Sequence, residues 1–131
     1  MSAEIVKAGT IGGRGFCIVK RSPQTGYPYD FGGFCEVFGI GRFGGGWLCG
    51  YVDATDSRFD GIDDEDDPAF AGLGVEITYT GQGVPGCDGA PWTGWWIGFD
   101  TAHPGMEDET PESVEETIRG LVRAMGEEVQ A

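Results

Sequence analysis

Trp95-Trp96-Ile97-Gly98-Phe99-Asp100 places three aromatic rings and an acid within six residues. At the two-residue period of a strand, Trp95, Ile97 and Phe99 share one side and Trp96, Gly98 and Asp100 the other. Large aromatics on both sides predict a central strand over 94–100, covered on each face. Working outward, Trp47 to Asp53 predicts a second well-defined strand. Val75 to Thr80 alternates cleanly, with Val75, Ile77 and Tyr79 against Glu76, Thr78 and Thr80, which predicts a half-buried antiparallel strand. Glu4 to Lys7 and Phe16 to Lys20 predict short strands flanking a Gly-rich turn over 9–15, and Phe34 to Phe38 a further one. Residues 22–33 hold two prolines and three glycines, a loop composition.

A helix closes the chain. Thr110 supplies a cap hydroxyl, Pro111 suits the first helical position, and Glu112 opposes the helix dipole. Val114, Ile118, Leu121, Val122 and Met125 form one apolar stripe that needs a sheet face to bury against. Glu115 and Arg119 are spaced to pair across one turn. Gly126 suits the stop, and Glu127-Glu128 sit at the unfavourable dipole end, so fraying is expected there. The fold class that follows is α+β: a mostly antiparallel, twisted sheet of about five to six strands packed by one C-terminal helix. The 131 residues make one domain. Its parts are Gly-rich strands and loops over 1–46, a core sheet over 47–100 with an acidic loop at 53–68, and the helix over 110–126.

Charge is divided unevenly about a net of −14. Residues 1–52 carry five basic and three acidic side chains, whereas 53–131 carry three basic and nineteen acidic, a net of −16. Such a field opposes direct binding to nucleic acid and to anionic membrane, and favours a basic protein surface. The same acidity also serves solubility. No run is long enough for a membrane span, and the N-terminus lacks a basic start followed by an apolar core, so a cytoplasmic protein is expected. Cys17, Cys35, Cys49 and Cys87 form no CxxC pair, which argues against a structural zinc site; in a reducing compartment they are thiols packed as small hydrophobes.

Candidate chemistry is sparse. Gly39-Ile-Gly-Arg-Phe-Gly44 matches a dinucleotide fingerprint by letter, but the Trp47 strand follows it where the motif needs a helix. Asp56 to Asp67 has the length of a calcium loop, yet its third position is Arg58 and its last is Asp67 instead of Glu. A solvated acidic loop is the expectation, and neither a metal nor a cofactor is called for. Asp100 and His103 suit an oriented acid–imidazole pair, and Cys49 is the nucleophile that would complete a hydrolase site. The competing assignment makes Asp100 a cap for the turn at Pro104-Gly105. Trp92 and Trp96, with Tyr51, suit a ligand cleft or an interface anchor.

Three phrases, Leu48-Cys49-Gly50-Tyr51-Val52, Ile77-Thr78-Tyr79-Thr80-Gly81, and Trp95 to Asp100 with Ala102-His103, resemble a group of small proteins encoded mainly by bacteriophages and prophages. Its pattern runs roughly LCGYV … GLTYSG … WWIGFDCAH before a C-terminal helix. The resemblance spans about 47 to 125 and leaves the first 46 residues uncovered. Ser57 stands where the group carries one histidine, and the stretch Gly74 to Tyr79 lacks another, so a role resting on three histidines is lost here. The resemblance implies no activity of its own. It implies phage accessory biology, in which small acidic proteins often blunt host immunity.

Three functions are expected in descending order. The first is a phage-type counter-defence protein in the host cytoplasm, which binds a basic surface on a host defence protein without turnover (an anti-CRISPR-like inhibitor is one form). Asp60, Asp63, Asp64, Glu65, Asp66 and Asp67 would supply the contact. The second is a sponge for a nucleotide immune signal, in a cleft lined by Trp92, Trp96 and Tyr51 with cations from Arg14, Lys20, Arg21 or Arg42. The third is a small hydrolase using Cys49, Asp100 and His103. Homo-oligomerisation is compatible with each.

Overall fold

The computed structural model describes residues 2–22, 46–102 and 108–127. Five strands, β1 (Ser2–Ile11), β2 (Arg14–Ser22), β3 (Trp47–Asp53), β4 (Tyr79–Gln82) and β5 (Trp95–Asp100), form one sheet in the order β1-β2-β3-β5-β4. Every neighbouring pair is antiparallel. Helix α1, Pro111–Ala124, packs on β3, β2 and β1. The architecture is the α+β arrangement read from the sequence. The expected strand at Phe34 to Phe38 and the Gly39 to Gly44 motif lie outside the described residues, as does the 22–33 loop beyond Ser22.

β5 is interior, as its two apolar faces require, and its neighbours are β3 and β4. Ile97 and Phe99, with Trp95 at the margin, join Ile18, Leu48 and Val52 under Val114, Ile118, Leu121 and Val122 of the helix. Trp96 faces the opposite way and packs with Cys17, Val19, Cys49, Tyr51 and Val84. The loop 83–94 folds beneath that second face through Val84, Cys87 and Trp92.

Two sequence expectations need correction. The turn expected over 9–15 shrinks to Gly12-Gly13, with φ of 58° and 82°. Two consecutive positive φ values are what a tight two-residue hairpin requires, so Thr10, Ile11, Arg14 and Gly15 are released to the strands. The strand expected over Val75 to Thr80 begins only at Tyr79. Ile77 packs on the helix side and Tyr79 on the other. A regular strand would have kept these two on one face, so the alternation there does not come from pleating. The positive φ of Gly72 and Gly74 bends the chain just before it.

The helix cap is as read: Thr110 Oγ1 accepts from the Ser113 N–H at 3.1 Å, and Ser113 Oγ accepts in turn from the Thr110 N–H. Glu127, the last described residue of the tail expected to fray, is held by two contacts. Gly126, at φ 89°, lets its N–H reach the Arg123 carbonyl and the Glu127 N–H reach that of Val122. The Glu127 carboxylate then meets Arg14 at 3.1 Å. Glu128 lies outside the described residues. After β5, the buried Thr101 locks the chain to β3, its hydroxyl bonding both the N–H and the carbonyl of Leu48.

Candidate functional site

Cys49 and Asp100 are brought together: they face one another in the β3–β5 register, on the side of the sheet away from the helix. His103 lies outside the described residues. Asp100 Oδ1 accepts the Ala102 N–H at 3.1 Å, a local bond of the kind that caps a turn; the Pro104-Gly105 turn itself lies outside the described residues. Cys49 is 4% exposed. Burial pushes its thiol pKa up; Arg21 draws it back and Asp100 opposes Arg21. A buried thiol with a raised pKa is a poor nucleophile at neutral pH.

Cys17, Cys49 and Cys87 are free thiols of one apolar cluster, but only Cys87 is partly exposed. In native protein, a water-soluble thiol reagent is therefore expected to modify Cys87 at least tenfold faster than Cys17 and Cys49. Mass mapping after brief labelling, with and without denaturant, measures this. Fast native labelling of Cys49 would restore it as a nucleophile.

The aromatic cleft is formed in part as expected. Trp92 and Trp96 meet with ring centroids 5.8 Å apart at 54°. They bound an open cleft of about 540 Å³, whose walls include Ala8, Thr10, Gly15 and Asp53. Tyr51 is not in its walls, which corrects the sequence expectation. Its ring packs edge-on to Tyr79 at 5.7 Å, and its hydroxyl accepts from Arg21 Nε and Nη2 at 3.2 and 2.8 Å. Arg21 also donates to the Pro85 carbonyl. Sequence reasoning passed over Arg21 as a structural residue, although it continues the alternation Cys17, Val19, Arg21 onto an apolar face. A charge in that register signals an internal partner.

Asp53 was also missed. It pairs with Trp96 in register, on the cleft side of the sheet. Its Oδ1 accepts the Thr55 N–H at 2.9 Å.

The acidic loop is ordered from beneath. Phe59 and Phe70 stack at 5.3 Å in the core, and Thr80 Oγ1 donates to the Ile62 carbonyl at 2.6 Å. Asp67 is absorbed locally: its Oδ1 caps the 3₁₀ turn Pro68–Phe70 through the Ala69 N–H. Asp60 and Asp64 accept backbone N–H groups within the loop. Asp60, Asp63, Asp64, Glu65 and Asp66 remain exposed. Among the described residues, no three His, Cys, Asp or Glu side chains are placed to hold a metal ion. Arg58, at the third place of the calcium-like spacing, turns away: it donates to the Ala124 carbonyl at the helix end and lies over the Phe59 ring.

Three more of the described cations are engaged. Lys7 pairs with Glu115, which Lys7 and then Arg119 hold below the usual carboxylate pKa. Arg14 donates to the carbonyls of Asp53 and Thr55 as well as to Glu127. The loop acids thus stand without ionic partners among the described residues.

No family model matches the chain, nor does any curated protein or solved structure. Among the described residues, no helix is long and apolar enough to cross a membrane.

Proposed function

We propose that this is a phage-type counter-defence protein that binds a basic surface of a host immune effector stoichiometrically. The observation that carries the reading is the asymmetry of pairing. Of the seven described cations, Lys7, Arg14, Arg21, Arg58 and Arg119 are bound to the chain's own groups, while Asp60, Asp63, Asp64, Glu65 and Asp66 stand exposed on a loop anchored in the core. Acids held in place lose little entropy on docking, and their summed field steers a basic partner. The phage-like phrases in the sequence supply the biological setting.

A plaque assay on hosts carrying individual defence systems tests this. Expression of the protein is expected to restore phage plating on at least one defended host. The variant with Asp60, Asp63, Asp64 and Asp66 all changed to Asn is expected to lose tenfold or more of that effect at equal abundance. Restoration on no host, or full restoration by the variant, overturns the proposal. The nucleotide-sponge alternative gains a cleft in Trp92 and Trp96, but among the described residues the only charged side chain in its walls is the acidic Asp53. A phosphate would meet repulsion there.

A further inference from the structure

We infer that the cleft beside Trp92 is the anchor point for an arginine side chain of the protein partner, with the guanidinium held between the Trp92 ring and the Asp53 carboxylate. This rests on the stoichiometric-binding reading and names its central contact.

Three observations converge on an arginine. Small residues, Ala8, Thr10 and Gly15, line part of the cleft. The Gly15 position is already close-packed, since a Cβ there would lie 3.3 Å from the Trp96 ring. Trp92 forms the accessible aromatic wall, because Trp96 is only 1% exposed and its Nε1–H is committed to the Thr93 carbonyl. Tryptophan is the best aromatic partner for a cation, and the planar guanidinium stacks on it.

The third is charge. Asp53 Oδ1 is occupied by the Thr55 N–H, and the second carboxylate oxygen makes no hydrogen bond or ion pair with the described residues. Arg14 passes close by, yet its contact is to the Asp53 carbonyl and not to the carboxylate. The cleft therefore offers a π-face, an acceptor and a negative charge, with no competing cation among the described residues of its walls. At about 540 Å³ it also has room for the partner backbone beside the arginine.

The test titrates the whole protein with N-acetyl-arginine methylamide and follows the tryptophan indole N–H resonances by NMR. The neutral isostere N-acetyl-citrulline methylamide is the control. The Trp92 resonance is expected to shift saturably with the arginine probe and not with citrulline. Trp95, whose Nε1–H is bound to Thr80 Oγ1, is expected to stay unmoved. Asp53→Asn retains the Oδ1 acceptor for Thr55 and removes the charge, so it should weaken the arginine probe at least fivefold. Equal shifts with citrulline, or unchanged arginine binding in Asp53→Asn, overturn the inference.

The two proposals fail separately. Arginine binding at Trp92 without counter-defence leaves the cleft assignment standing and removes the biological reading. Restored plating by wild type and Asp53→Asn alike removes the anchor and leaves the acidic loop.

Discussion

Replacing Gly98 by alanine is expected to lower stability by about 2–3 kcal/mol, the usual scale for overpacking a close-packed core. A Cβ at Gly98 would lie 2.8 Å from Tyr51 Cε1 and 2.9 Å from the Gly50 carbonyl oxygen. Neither neighbour is free to give. The Tyr51 ring is fixed by Arg21 at its hydroxyl and by Tyr79 at its edge, and the carbonyl belongs to the adjacent strand. Gly50 stands in the mirrored situation on the helix side, where a Cβ would meet Phe99 Cζ at 2.6 Å and Val114 Cγ1 at 3.0 Å. The two glycines thus seat one aromatic on each face of the β3–β5 pair. For a chain of this length the loss corresponds to a fall of roughly 8–12 °C in Tm. Gly120→Ala is the companion measurement: nothing lies within 4 Å of its Cβ position in the helix. That change is expected to stabilise by about 0.5–1 kcal/mol. If Gly98→Ala melts with the wild type, Tyr51 is not held as described.

Stability is expected to fall between pH 9 and pH 12, with Cys17 one of the groups responsible, alongside Cys49, whose thiol burial also pushes up. Burial pushes the Cys17 thiol from its ordinary 9.0 to about 12; neighbouring Cys87 adds to the rise and Arg21 opposes it. Below pH 9 the thiol is protonated in both the folded and unfolded states, so its contribution is fully present. As the pH rises, the unfolded chain releases the proton first, and the unfolded state gains about 1.4 kcal/mol per pH unit. Over the whole window that amounts to roughly 4 kcal/mol. Tyr51, whose phenol is also pushed up by burial, adds to the slope above pH 10. Urea unfolding under reducing conditions at pH 7, 9, 10 and 11 measures the effect. Cys17→Ala is expected to start lower at pH 7, because it leaves a small cavity, and then to fall less steeply by one proton. Parallel slopes for the two proteins would remove Cys17 as a source.

How much was legible depended on whether a segment's pattern had one physical cause. The period-two split of Trp95 to Asp100 did, and it located both the strand and its interior place. The stripe from Val114 to Met125, opened by Thr110-Pro111, gave the helix within a residue or two at each end for the same reason. At Val75 to Thr80 the same period misled, since Ile77 and Tyr79 serve different cores. The glycines between 9 and 15 overstated the turn, because only Gly12 and Gly13 need a positive φ. In the site, Trp92 and Trp96 were legible as large rings beside a loop, but Tyr51 was placed wrongly and Asp53 was missed. Both outcomes depend on which side of β3 faces which neighbour.

By itself the sequence determined the α+β class, the covered central strand, the capped helix and the acidic second half. These follow from local periodicity, cap chemistry and charge count, all carried by residues close in the chain. Tertiary structure alone decided that Cys49 faces Asp100 from within a core, that Arg21 is spent on Tyr51, and that Asp53 shares a cleft with Trp92. Those relations arise from strand register and from the path of the 83–94 loop. A shift of one residue in register exchanges the faces of a strand, so no local pattern contains them.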